Sequence, residues 1–291
     1  MTFNYEVTLG LPQTNRRGFW EPDVMKQAGH CQWQAIATAL GRPLSELRTV
    51  SGGEIYAAFY YIEIRVPDTA PLESFRLDDT VRFTIALRAF KNISIEGQVR
   101  MGIAGAPPAD PGPEIRFANI FITPVKGNSE LRVAPPAGVE SAAIPRLPNA
   151  ENPFHVTRAA REQGTLRLFA DGWGERGGSF TYSYQLDRDR DTNGAGLVYF
   201  ANYLAFTDAA ERAIESAGGV VTGERSLRHR RVAYYGNADI DDRLTVRTSV
   251  WFDPGQPSRI GYRHTVRRDS DAALICLTEV IKATERAIEF R

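Results

Sequence analysis

The sequence predicts an α+β protein of two similar halves, each a curved antiparallel sheet wrapped around one central helix. Three observations carry this. The first half reads strand, polar loop, helix and four strands, and the second half repeats that order. Each expected helix is apolar on most sides and must be enclosed; a sheet that curls around it does so with one face and leaves the other to water. A short echo, Leu77-Asp78-Asp79-Thr80-Val81-Arg82-Phe83-Thr84 against Ile240-Asp241-Asp242-Arg243-Leu244-Thr245-Val246-Arg247-Thr248, stands just before a strand in each half.

In chain order, Tyr5 to Leu11 alternates as a short strand, and Pro12 to Gly18 breaks it into a polar loop. Pro22 suits the first turn of a helix, with Glu21 and Asp23 at its positive end. Val24, Ala28, Cys31, Ala35, Ile36 and Ala39 mark the buried stripe, and Gly41 stops it. Strands follow over Glu54–Val66, Val81–Phe90, Ser94–Ile103 and Glu114–Val125, rich in β-branched and aromatic residues and divided by turns such as Pro67-Asp68 and the proline loop Ala106 to Pro113. Residues 134–164 hold five of the 17 prolines, which reads as a linker between domains at 1–133 and 165–291. Beyond it, Phe180, Tyr182, Tyr184 and Leu186 share one strand face. A helix then runs from Phe200 to a stop at Gly218-Gly219, and strands follow over Ser226–Asn237, Leu244–Phe252, Arg259–Val266 and Ala273–Ala283.

Composition narrows the function. Lys and Arg balance Asp and Glu at 35 each, so no global field recruits nucleic acid or an anionic membrane. Cys31 and Cys276 are too few for a disulfide framework or a zinc site, and the four histidines are scattered, so no metal centre is expected. The start, MTFNYEVTLGL, lacks a basic region followed by an apolar core, and no stretch is apolar enough for a membrane span; the expectation is a reduced cytoplasmic protein.

The stretch Arg188 to Arg212 carries the functional signal. Asp191-Thr192-Asn193-Gly194-Ala195-Gly196 is a polar loop with flexible glycines, and Val198-Tyr199-Phe200-Ala201-Asn202-Tyr203-Leu204 leads into the apolar helix. This run resembles the signature of hot-dog-fold acyl-thioester enzymes of the 4-hydroxybenzoyl-CoA thioesterase type, which makes the predicted architecture a double hot-dog. Val7-Thr8-Leu9-Gly10-Leu11-Pro12-Gln13, Ile55-Tyr56-Ala57-Ala58-Phe59, Gly194 to Tyr203 and Tyr235 to Asp242 together resemble the double-hot-dog bifunctional acyltransferase/decarboxylases of leinamycin-type polyketide biosynthesis over nearly the whole chain.

That resemblance implies an enzyme that takes a methylmalonyl group from coenzyme A, releases carbon dioxide and passes the acyl group to an acyl carrier protein. It implies no cofactor beyond the coenzyme A thioester that is its substrate. It implies a tyrosine as acyl acceptor, matched to Tyr56 with Tyr60 and Tyr61 as neighbours, and a site drawing on both repeats. The chain would be a monomer with an internal pseudo-dimer or a homodimer.

Chemistry sets conditions on these residues. A phenol is a weak nucleophile near its ordinary pKa, so Tyr56 needs a cation or hydrogen-bond donor beside it; otherwise it is strand packing. Asn193 stands where the thioesterase motif has an aspartate. An amide can polarise a carbonyl or hold an enolate but cannot act as a base, and it can equally serve as a loop cap. Gln13, Gly194, Gly196 and Tyr199 are the expected substrate contacts. Arg267 and Arg268, with Arg188, Arg190, Arg263 and the run Arg228-His229-Arg230-Arg231, are candidates for coenzyme A phosphates or an acidic carrier, or form a solvated sheet face. A hot-dog thioesterase or dehydratase, and a non-catalytic thioester-binding protein, are the alternatives.

Overall fold

A computed structural model describes residues 1–107, 111–126, 130–138, 143–194, 196–217 and 223–284. The chain divides into two compact units, Met1–Val156 and Thr157–Arg291. In the first, β1 (Thr2–Thr8) leads through a small hairpin, β2 (Thr14–Asn15) and β3 (Gly18–Phe19), to helix α1 (Glu21–Leu40). Four long strands follow, β4 (Tyr56–Arg65), β5 (Thr80–Phe90), β6 (Ser94–Ile103) and β7 (Glu114–Lys126), with β8 (Glu130–Val133) folded back on the end of β7. Helix α2 (Phe154–Gln163) contains the division between the units. The second unit has β9 (Gly174–Gln185), one turn of helix α3 (Arg188–Asp191), the central helix α4 (Asn202–Ser216), then β10 (Arg225–Tyr234), β11 (Arg243–Phe252), β12 (Arg259–Arg268) and β13 (Leu274–Thr284).

All long pairings are antiparallel. The first unit runs β1-β5-β6-β7-β4 and the second β9-β11-β12-β13-β10, so in both the strand order is first, third, fourth, fifth, second. With the helix following the first strand, this is the hot-dog arrangement twice over. Period-2 patterning produces it: along β5, Val81, Phe83, Ile85, Leu87 and Ala89 are all buried while their neighbours are not. Gly41 ends α1 in the left-handed conformation, returning its N–H to Ala37 and Thr38 carbonyls. The glycine pair expected to stop α4 lies outside the described residues, as does the middle of the proline loop.

The repeat extends to single hydrogen bonds. Asp79 Oδ2 accepts Arg76 N at 2.6 Å and Asp242 Oδ2 accepts Asp239 N at 2.8 Å, the same three-residue reach. Asp79 O accepts Leu9 N, and Asp242 O accepts Leu186 N, tying each first strand to the start of its third. Each second strand also carries a β-bulge at one place, Tyr60 between Phe59 and Tyr61, and Arg228 between Leu227 and His229.

The proline-rich span is held along its described length and is not a loose tether. Pro145 O accepts Ala89 N and Leu147 N donates to Ala89 O, both at 2.8 Å, with Ile144 and Leu147 buried. A proline lacks a donor but keeps its acceptor, which is how such a segment can pair with a strand. Arg88 bridges buried Glu96 at 2.6 Å to Glu151 at 2.5 Å, and the Tyr60 ring stacks on Phe154 at 4.4 Å. In the second unit, buried Glu279 accepts Thr165 Oγ1 and Leu168 N, each at 2.8 Å, and Arg263 Nε at 2.6 Å. Residues 139–142 of the expected linker, and 285–291 of the expected second domain, are outside the described residues.

Candidate active site

The loop between β9 and α4 is built from its own side chains. Asp187 caps the single turn of α3 by accepting Asp189 N and Arg190 N. Asp191 is buried and accepts the Tyr184 hydroxyl at 3.0 Å, Asp187 N at 2.9 Å and Arg190 Nε at 3.3 Å, while its carbonyl accepts Tyr199 N. Asn193 closes the tip: its N–H donates to Leu197 O, its Oδ1 accepts Leu197 N at 3.1 Å, and its carbonyl accepts Gly196 N. Gly194 and Gly196 are exposed, and Gly196 takes φ 73°, which a side chain would strain. Tyr199 is half-buried, its ring tilted against Phe200 at 4.9 Å, and burial pushes its phenol up to about 12.

The loop then enters α4, whose first turn is tied down on both sides. Asn202 Nδ2 donates to Arg190 O, Tyr234 donates its hydroxyl to Phe200 O, and the Tyr203 hydroxyl donates to Asn237 Oδ1 at 3.0 Å. Arg268 completes this tie, giving Nη1 to Asn237 O at 2.8 Å and a fork to Asp271. The α4 start has no acidic residue in its first turn and Ala201 supplies no side-chain cap, so its positive end is not cancelled locally. Such an end suits an oxygen acquiring negative charge.

The corresponding loop of the first unit is arranged differently. Gln13 Oε1 accepts Gly10 N at 2.9 Å, so its amide closes a turn. Gly18 at φ 127° passes so near Glu73 and Phe75 that an added Cβ would lie 2.6 Å from Phe75 O. Arg76 Nη1 donates to Arg17 O at 2.7 Å. At the start of α1, Pro22 removes an N–H and Glu21 and Asp23 oppose the positive end.

Tyr56 stands half-buried at the first residue of β4, and its hydroxyl donates to Glu54 Oε2 at 3.3 Å. Burial first and the Glu54 carboxylate second push this phenol up, a shift that disfavours the phenolate. Tyr60 and Tyr61 are buried, bonded to Asn152 and Glu63. The arginines do not gather into one basic face. Arg267 is exposed and bonded to Ala272 O, whereas Arg268 is buried; Arg263 pairs with Glu279, Arg231 with Leu166 O, and Arg190 with Tyr184.

Arg230 is wholly buried, and it opens onto a group of charges that adjacency in sequence concealed. On the inner face of the second unit, Arg230 Nη2 meets Asp208 at 3.0 Å, Lys282 Nζ meets Asp208 at 2.9 Å and Glu211 at 2.6 Å, and Arg225 meets Glu211 at 3.3 Å and Glu215 at 3.2 Å. His264 lies between Glu211 at 3.3 Å and the Thr248 hydroxyl at 2.8 Å. Burial opposes ionisation of Glu211, but Lys282 and its other partners outweigh it and hold the carboxyl well below its usual range; Asp208 is lowered in the same way. Burial keeps the His264 imidazole below its usual value. The helical spacing Leu204, Asp208, Glu211, Ile214 was the available signal, since it lays both acids in the apolar stripe. Among the described residues no group of His, Cys, Asp and Glu has the arrangement of a metal site, and no helix is long and apolar enough to cross a membrane.

No family model matches the chain, and no curated protein matches its sequence. Solved structures do match along its length. A protein from Lactobacillus plantarum, provisionally described as an oleoyl thioesterase, superposes with TM-score 0.67 at 14% identity, covering 99% of this chain and 98% of that one. An acyl-ACP thioesterase from Bacteroides thetaiotaomicron gives TM-score 0.60 at 10% identity, covering 97% of each chain. The 12:0-ACP thioesterase of Umbellularia californica gives 0.59 at 10% identity, covering 98% of each. At these identities the shared property is the double hot-dog fold.

Proposed function

We propose that this protein acts on acyl thioesters and hydrolyses an acyl-CoA or acyl-carrier-protein substrate to the free acid and the thiol. The observation that carries the reading is the fold, which runs end to end with three proteins described as thioesterases. The β9–α4 loop adds the chemistry: the first turn of α4 and the Asn193 amide would polarise the thioester carbonyl, and water would attack its carbon, expelling the thiolate. Gly194, Gly196 and Tyr199 would line the approach. Gln13, Tyr56, Arg267 and Arg268 are further proposed contacts, and of the two arginines exposed Arg267 can meet phosphate without leaving an internal bond to a carboxylate.

A second reading is favoured by one residue. Asn193 supplies no carboxylate at the place where the thioesterase motif has one, and Asp191, the nearest, is turned inward to Tyr184 and Asp187. Decarboxylation of a malonyl or methylmalonyl thioester needs no base there. The carbon–carbon bond breaks, carbon dioxide leaves, the enolate is held by the amide and backbone donors, and a proton from water returns to carbon; the carrier thiolate then attacks the thioester carbonyl and the coenzyme A thiolate leaves, taking up the proton the carrier thiol gave up. One experiment covers both. Incubation with a panel of acyl-CoAs, including malonyl- and methylmalonyl-CoA, with and without carrier protein, is followed by thiol release and intact mass. Free acid and thiol without carrier indicate hydrolysis; an acyl mass on the carrier lighter by carbon dioxide indicates the second reading; no thiol release from any substrate defeats the proposal.

A further inference from the structure

The matched bulges allow the two sheets to be superposed residue on residue. Asn119 on β7 lies opposite Ile95 and Phe59, and Lys282 on β13 lies opposite Ile260 and Leu227, so Asn119 and Lys282 hold the same position in their units. Each meets the buried polar residue of its central helix. In the first unit Gln32 Nε2 donates to Asn119 Oδ1; in the second Lys282 Nζ donates to Glu211 Oε2 at 2.6 Å. One contact between helix and sheet has therefore been built twice, once from amides and once from charges.

The amide version demonstrates that this place in the fold can be filled without ions. Taking a carboxylate and an ammonium out of water is costly, and their attraction regains only part of it, so the ionic version is not the cheaper way to hold a helix. What it adds is direction. Glu211 is approached from β13 by Lys282, from β10 by Arg225 and from β12 by His264, and Asp208 one turn earlier takes Lys282 and Arg230. Three strands thereby fix both the rotation and the height of α4. Its first turn begins six residues before Asp208, directly after the Asn193 loop.

We propose that Glu211, Lys282, Asp208 and Arg230 are positioning residues that hold α4 so that the Asn193 loop and the uncapped first turn stay aimed at the reacting carbonyl. The assignment rests on the acyl-thioester reading for the reaction, but not for the restraint on the loop. The test copies the amide pair of the first unit into the second as Glu211→Gln/Lys282→Asn, which removes one charge of each sign and leaves Asp208 with Arg230 and Arg225 with Glu215. Expected are retained folding, a kcat at least tenfold lower with KM changed less than threefold, and faster hydrogen exchange over residues 191–203. The reciprocal control, Gln32→Leu/Asn119→Leu, leaves exchange over 191–203 as in the wild type.

Should the first pair fail to fold, Glu211→Gln/Lys282→Met keeps the side-chain volume and carries the same expectation, and Lys282→Arg restores kcat. Unchanged exchange over 191–203 and unchanged kcat in a folded variant overturn the proposal. If the wild type turns over no thioester, the acyl-thioester reading has failed while the exchange measurement still decides the positioning role.

Discussion

The two central helices of this protein pack by different physics inside the same fold. Around α1 the first unit places Val24, Met25, Ala28 and Ile36 with Phe59, Ile62, Phe83 and Phe117 in the core, and between helix and sheet lies the neutral Gln32–Asn119 pair. Trp33 and Phe117 flank Phe59 at 5.3 and 4.9 Å. Such a core is non-directional, each large side chain contributing roughly 1.5–3 kcal/mol by leaving water. Around α4 the second unit places two buried carboxylates, three cations and an imidazole. Topology fixes where the helix lies, while the residues at a few equivalent positions decide whether it is held by area or by direction. The loops follow the same division: the α1 start carries acids and a proline, and the α4 start carries no acid and no side-chain cap.

This contrast is sharpest under substitutions that strand a charge. Lys282→Met leaves Glu211 and Asp208 short of a shared cation and is expected to cost about 3–5 kcal/mol in denaturant unfolding; a loss under 1 kcal/mol would mean the network is not what holds α4. In the first unit the comparable weak point is space. An added Cβ at Gly97 would come within 2.0 Å of Gln32 Oε1, so Gly97→Ala is expected to cost about 1–3 kcal/mol through overpacking. An Asn119→Ala background, by giving Gln32 room to move, should recover part of that loss.

Acidification separates the halves more gently. His264 is depressed by burial, facing Glu211 from α4, Arg230 from β10, Lys282 from β13 and Thr248 from β11. The unfolded chain therefore binds a proton at His264 more readily than the folded one. Stability is complete above the ordinary histidine value of 6.5 and falls as pH drops below it, followed near 4 by loss of the lowered Asp208 and Glu211. A fall in Tm of a few degrees between pH 7.5 and 5.5, abolished in His264→Asn, is the expected result. Hydrogen exchange should rise first in β10 and β12. The smallest effects belong to the features the halves share: Asp79→Ala and Asp242→Ala should each cost about 0.5–1.5 kcal/mol, and equal costs would establish the turns as equivalent.

Much of this was readable in advance for physical reasons. Strands such as β5 and β11 are buried on one face, so their alternation survives in the sequence, and the Asp78-Asp79 and Asp241-Asp242 echo marks a turn whose geometry needs a carboxylate. The folded character of residues 134–138 and 143–164 was hidden because what secures it is distant: Glu96 and Glu279 look like surface acids until their strands are paired. Arg230 was grouped with Arg228 and Arg231 by adjacency, although alternation along β10 sends it inward with Val232 and Arg231 outward to Leu166. The turn through Asn193, Gly194 and Gly196 could be read from the sequence, since its hydrogen bonds are local. The sign of the shift at Tyr56 was not, because it depends on Glu54 being turned toward it.

The position of Lys282 has a further consequence, for the order in which the chain can mature. Asp208, Glu211, Arg225 and Arg230 leave the ribosome before the lysine that both carboxylates share, which arrives on the last strand of the described chain. Until β13 docks, both acids lack the cation they share. The second helix is therefore expected to seat fully only with β13, so that a nascent chain stalled before residue 282 stays more sensitive to protease there than the full chain, even with its first unit already closed.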